Sequence, residues 1–201
     1  MAGHKRDAHA MYIPSRQELI LKLDDIGHVR DKALICFLYL TGARITEVLG
    51  DAKKGIPSFK ARQIEEIDDK RGAMVVFRQL PILKRRGTTL LKRDVMAFVD
   101  MEKPFLEPIN AYWSTIEDLE QPMFPITRQR AWFIMNKKFG WFNHFFRNAR
   151  ATHLANEYGF SGMTLQAFFG WASWQMPMLY TKTTMRDVTN ALANAKDNIE
   201  N

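Results

Sequence analysis

Residues 143–180, NHFFRNARATHLANEYGFSGMTLQAFFGWASWQMPMLY, carry the reading of this chain, and the rest follows outward from them. His144 and Arg147 stand three apart where a helical pattern opens, which predicts that both project from one face of its first turn. Gly159 closes that helix at a residue able to take the left-handed conformation. A second helix over about 163–169 runs into Gly170-Trp171. A short segment limited by Pro177 then ends near Tyr180, nine residues beyond Trp171. Its Met-rich, weakly structured character suits a mobile group. His153, nine residues past His144, reads as structural.

The chain has 201 residues and 46% hydrophobic content, enough for one domain with a real core. A net charge of +7, spread along the chain instead of gathered in a tail, points to a polyanionic partner. Charge alone would serve nucleic acid, an anionic membrane or plain solubility equally. No apolar run is long enough to span a bilayer, and the N-terminus MAGHKRDAHAMYIP has no signal-peptide core. The expected partner is therefore not a membrane, and the expected compartment is the cytoplasm, or the nucleus in a eukaryote. Cys36, the one cysteine, sits in ALICFLYL and reads as core packing.

Residues 1–13 show no periodicity and read as a mobile basic arm. Ser15 and Glu18 have the form of a capping box, and Leu19, Ile20, Leu23 and Ile26 continue at helical spacing. The run DKALICFLYL over 31–40 is apolar nearly all round, as a central buried helix must be. The period then changes: 63–67, 74–77 and 88–91 read as three short antiparallel strands, with the cationic tip Lys84-Arg85-Arg86-Gly87 between the second and third. Residues 95–101 read as a helix. Four prolines within 103–125 predict an irregular surface excursion with at most a short helix over 110–119. Thr127 caps RQRAWFIMNKKF, whose Arg128, Arg130, Lys137 and Lys138 give it a basic side suited to a DNA backbone and whose aromatics read as core. The fold class expected is mainly α with a small three-stranded antiparallel sheet (α+β).

The pattern His144-x-x-Arg147, Gly170-Trp171 and Tyr180 resembles the C-terminal signature of the tyrosine recombinases, the phage-integrase family, whose catalytic domain is related to type IB topoisomerases. The run Thr41-Gly42-Ala43-Arg44-Ile45-Thr46-Glu47-Val48-Leu49 resembles the family's first arginine box, with Glu47 in the place of its carboxylate. Leu83-Lys84-Arg85 looks like the family's lysine hairpin, although Arg85, Arg86 or Lys92 can be fitted to that role. A basic turn that makes only phosphate contacts fits the same residues.

The resemblance implies a division of labour. Tyr180 would be the nucleophile, a phenol that needs activation because its pKa lies near 10. Arg44 and Arg147 would present planar forks to the phosphate, with Glu47 holding Arg44. Trp171 would donate through its indole N–H where other members have His, and cannot shuttle protons. His144 would be general base or positioning donor, and Lys84 the acid for the leaving 5′ oxygen. Arg85, Arg86, Arg128, Arg130, Lys137 and Lys138 would contact double-stranded DNA. No metal, ATP or other cofactor is implied, and the sequence holds no P-loop, HExxH or CxxC pattern.

The leading expectation is a site-specific recombinase, or integrase, working as a homo-tetramer on DNA. A type IB topoisomerase and a DNA-binding regulator with an idle site are the alternatives. The expected domain layout is the arm, a catalytic unit over 14–182 and a C-terminal helix over 183–201 that docks on a neighbouring subunit or folds back. Family members usually carry a further N-terminal core-binding domain, and only some fourteen residues precede the first predicted helix here.

Overall fold

The computed structural model describes residues 12–83, 90–142 and 144–181, with the backbone alone at 137–139. Expectations placed on Lys84, Arg85 and Arg86, on the first eleven residues and on the chain after 181 lie outside the described residues, as do those on the side chains of Lys137 and Lys138.

Helix α2 (Val29–Thr41) is the centre of the fold, and every residue from Ala33 to Thr41 on it is buried. Its Phe37 ring lies 4.8 Å from Phe59, 5.0 Å from Phe77 and 5.5 Å from Phe124, so one side chain joins three separate segments. Each such burial contributes roughly 1.5–3 kcal/mol. Helix α1 (Arg16–Leu23) starts at the predicted capping box, with Ser15 and Glu18 each bonding the other's backbone N–H, and buries Leu19 and Leu23.

The three strands β1 (Ile64–Asp69), β2 (Gly72–Ile82) and β3 (Leu91–Phe98) form one antiparallel sheet in the order β1-β2-β3. β2 breaks register between Phe77 and Leu80, where Gln79 takes a φ of 57°, a left-handed value unusual outside glycine. The Asp94 carboxylate accepts the Gln79 backbone N–H at 2.8 Å and holds the bulge in place.

Two expectations are corrected along the next segment. Residues 95–98 continue β3 instead of opening a helix, because Val95, Ala97 and Phe98 pair with Phe77, Val75 and Met74. Helix α4 (Val99–Trp113) then runs through Pro104 and Pro108, where an irregular excursion was expected. Each proline costs a helix interior about 3 kcal/mol. Phe105, Leu106 and Ile109 are buried together on one face of α4, and that burial offsets the cost.

Helix α5 (Arg128–Phe139) brings a third correction. Its core contacts come from Ala131, Ile134 and Met135, while Trp132 and Phe133 are exposed at 45% and 43%. Once 131, 134 and 135 define the inward face, helical spacing turns 132 and 133 outward. Helices α6 (Phe145–Asn156), α7 (Gly162–Phe169) and α8 (Gln175–Met178) complete the described chain. His153 is structural: its Nε2 bonds the Pro14 carbonyl at 3.0 Å, which leaves Nδ1 to accept from the Tyr39 hydroxyl at 2.8 Å. Among the described residues, no helix is long and apolar enough to cross a membrane.

Candidate active site

Two helix ends meet at the site. α2 ends at Gly42 and α7 at Gly170, both left-handed, with φ of 57° and 63°. A Cβ on Gly42 would lie 2.2 Å from the Phe169 ring, and one on Gly170 would lie 2.6 Å from Ile82 at the end of β2. Glycine at these two positions is what lets α2, α7 and the sheet touch.

Arg44 leaves the first turn at the N-cap of α3 (Ile45–Leu49). Glu47, only 1% exposed, takes the Arg44 guanidinium at 2.7 Å and the Arg44 backbone N–H at 2.9 Å. One buried carboxylate therefore fixes both ends of the arginine. Arg147 comes from α6 and is 4% exposed. Its Nη1 donates to the Gly42 carbonyl at 2.6 Å and its Nη2 to the Phe169 carbonyl at 3.1 Å, while the Glu47 carboxylate lies 3.9 Å away. Burial, with the Arg44 charge adding to it, depresses the Arg147 guanidinium to a pKa of about 9. A nearby anion would relieve both effects.

Trp171 lies flat between two rings, 4.5 Å from Phe169 and 5.5 Å from Tyr180. Beside it, Arg44, Arg147, Trp171, Ile82, Ser173 and Met176 line a cavity of about 150 Å³. Two donors on these residues, Arg44 Nε and Trp171 Nε1, are buried without a hydrogen-bond partner among the described residues. Buried donors of this kind are costly unless something accepts from them.

Tyr180 is half-buried beyond the stack, and its hydroxyl donates to Asn148 Oδ1 at 2.9 Å. Burial raises its pKa, and the Arg147 charge opposes that shift. Tyr180 does not line the cavity. The structure thus brings Arg44, Glu47, Arg147, Trp171 and Tyr180 into one contact network. His144 stands three residues before Arg147, at the opening of the same helix. It occupies the N-cap of α6 and is exposed, whereas Arg147 is buried.

No family model matches the sequence, and no curated protein matches it. Solved structures do. A XerH site-specific recombinase in a post-cleavage complex with palindromic difH substrate superposes with a TM-score of 0.58 at 16% identity, over 88% of this chain and 50% of its own. The Tn1549 transposon integrase in complex with transposon right end DNA matches with a TM-score of 0.58 at 14% identity, over 94% of this chain and 67% of its own. The chain has the catalytic-domain fold of the tyrosine recombinases. It spans half the length of the XerH chain.

Within this tyrosine recombinase fold, several basic residues have partners already. Arg128 pairs with Asp51 and Arg130 with Asp31, each at 2.9 Å. Lys92 bonds Gln79 at 3.0 Å and lines a separate polar cleft, away from the cavity beside Trp171. Lys84 lies outside the described residues, but Ile82, two positions earlier in the chain, lines that cavity.

Sequence reasoning missed two residues. Asn148 holds the tyrosine hydroxyl and follows Arg147 directly, where nothing marked it as more than helix surface. Arg93 is 9% exposed on β3 and donates to the carbonyls of Thr41 and Phe168 at 2.8 and 2.6 Å. A signal for it existed: in the alternation of β3, position 93 falls on the same face as the apolar 95 and 97.

Proposed function

We propose that this protein breaks and rejoins double-stranded DNA through a 3′-phosphotyrosyl intermediate, as a site-specific recombinase of the integrase type. The observation that carries the reading is the cavity beside Trp171, where two guanidinium groups and two buried donors without a partner among the described residues converge one ring away from a tyrosine. That arrangement suits a phosphodiester: anionic oxygens would satisfy Arg44 Nε and Trp171 Nε1 and restore the charge balance around Arg147.

In the proposed reaction the Tyr180 oxygen attacks the scissile phosphorus and the bond to the 5′ oxygen breaks. Arg44 and Arg147 stabilise the charge on the non-bridging oxygens, with Glu47 fixing Arg44. Trp171 donates one hydrogen bond. The leaving oxygen takes a proton from Lys84, and the phenol proton passes to His144 or solvent. Rejoining reverses the sequence, so the bond energy is conserved and the step needs neither metal nor ATP.

The DNA partner is supported by the neighbours, since the Tn1549 integrase superposed above is in complex with transposon right end DNA and the XerH site-specific recombinase is bound to its difH substrate. Arg85, Arg86, Arg128, Arg130, Lys137 and Lys138 would supply backbone contacts, with Arg128 and Arg130 exchanging Asp51 and Asp31 for phosphates. Action as a homo-tetramer on two duplexes, in the cytoplasm, belongs to the same reading. Incubation with nicked suicide duplexes tests it: a covalent protein–DNA adduct is expected, absent in Tyr180→Phe, whose DNA affinity stays within a few-fold. An undiminished adduct in that variant would move the nucleophile elsewhere, with Tyr158 the next candidate.

A further inference from the structure

Arg147 has two duties that conflict. In the structure its fork holds the turn after α2 to the turn after α7, through the Gly42 and Phe169 carbonyls. Each of these carbonyls lies at a helix C-terminus, where acceptors lack intrahelical donors and a cation is favoured. Two of its five N–H donors are spent on these carbonyls, and turning the same Nη1–Nη2 fork to a phosphate would release at least one of them. Arg44 and Trp171 leave from these two turns, so a gap opening between them would misplace both donors.

Arg93 makes the same bridge one residue earlier on each turn. Its Nη2 reaches the Thr41 carbonyl and its Nη1 the Phe168 carbonyl, at 2.8 and 2.6 Å. The two arginines arrive from different elements, β3 and α6, yet take neighbouring carbonyls at both ends: Thr41 and Gly42, Phe168 and Phe169. Arg93 also lies 5.7 Å from the Phe168 ring centroid, packed over the α7 end that it holds. It does not line the cavity, so unlike Arg147 it has no second duty there. Neither guanidinium is satisfied by a carboxylate of its own. Among the described residues the acid nearest to them is Glu47, which hydrogen-bonds Arg44 and lies 3.9 Å from Arg147.

We propose that Arg93 is a positioning residue of the site, a second clamp that keeps the Arg44 turn and the Trp171 turn together while Arg147 turns its donors to the phosphate. The role in cleavage rests on the phosphotyrosyl reading above. The clamp itself does not. Lysine at this position keeps the charge but has no planar fork to span two carbonyls, so Arg93→Lys separates the two contributions.

The first measurement is a double-mutant cycle on thermal stability without DNA, using Arg93→Met, Arg147→Met and the pair. Each single variant retains one clamp and the double retains none, so the loss of Tm in the double should exceed the sum of the singles. Additive losses overturn the proposal. If the double does not fold while both singles do, the cycle is run with Arg93→Lys and Arg147→Lys, whose smaller losses leave the double measurable. If Arg93→Met alone does not fold, the cycle is run with Arg93→Lys.

The second measurement is single-turnover adduct formation on saturating suicide duplex, well below the melting point of Arg93→Lys. The bound complex should cleave roughly a hundredfold slower, the scale of a misplacement of about 1 Å, with duplex affinity unchanged. A merely structural role would lower Tm and leave this rate alone. Wild-type rate in Arg93→Lys refutes the positioning role while the chemistry stands. A wild-type protein that forms no adduct refutes the reaction, and the stability cycle then still decides whether the clamp exists.

Discussion

The Tyr180 hydroxyl donates to Oδ1 of Asn148 at 2.9 Å, on the residue that directly follows Arg147. The phenol is thereby held by the helix that carries a phosphate-binding candidate, and burial keeps its pKa above the ordinary value. A negative charge in place of the amide should raise that pKa further and oppose attack. Asn148→Asp is expected to form adduct about tenfold more slowly at neutral pH, with the tyrosine titrating higher in an ultraviolet titration. An unchanged rate together with an unchanged titration would dismiss Asn148 as a partner of the phenol.

Trp171→Phe removes the indole N–H and keeps an aromatic ring between Phe169 and Tyr180. Loss of one preorganised donor should slow cleavage by about a hundredfold while stability changes little. Parallel urea unfolding and adduct kinetics check the two halves. A large stability loss with unaltered cleavage would make Trp171 a packing residue alone.

Glu47 is the acid shared by Arg44 and Arg147, at 2.7 and 3.9 Å, and it is 1% exposed. Glu47→Gln leaves those guanidinium groups buried without a counter-charge, a change expected to cost about 3–5 kcal/mol. An anion that enters the cavity restores part of the balance. Phosphate at constant ionic strength should therefore raise the urea midpoint of the variant more than that of the wild type, and equal shifts would argue against an anion site between the arginines.

Much of the fold was legible because its signals are local. The capping box at Ser15, the apolar run of α2 and the β-rich run Met74-Val75-Val76-Phe77 of β2 each depend on neighbours in sequence. Helix α4 was not, since two prolines forbid it locally and only burial of Phe105, Leu106 and Ile109 permits it. Trp132 and Phe133 misled because aromatic residues in a helix are usually packed, and only the inward face set by Ala131 and Ile134 turns them to solvent. At the site, the signature residues stood out by spacing. Arg93 and Asn148 act through partners 52 and 32 positions away, which no spacing rule reports.

His153 adds a pH prediction. Its folded pKa is lowered, chiefly by burial, below the usual 6.5. Stability from the neutral ring is then complete above the unfolded value, near 6.5, and is lost as pH falls from there toward the folded value. Tm should decline between pH 7 and 5.5 in the wild type and decline less in His153→Gln. Parallel curves would remove His153 as the cause.

The ring stack makes the position of the tyrosine visible to light. Phe169, Trp171 and Tyr180 lie nearly parallel, with interplanar angles of 17° and 9° at the two contacts. In the proposed reaction the phenol would slide off the indole for its oxygen to reach a phosphate, and one face of that indole would then meet solvent or substrate. In a protein whose other four tryptophans are phenylalanine, Trp171 emission would report this departure directly, in a stopped-flow trace that begins when DNA is added. The event before the covalent bond would acquire a rate of its own, apart from the chemistry that follows it.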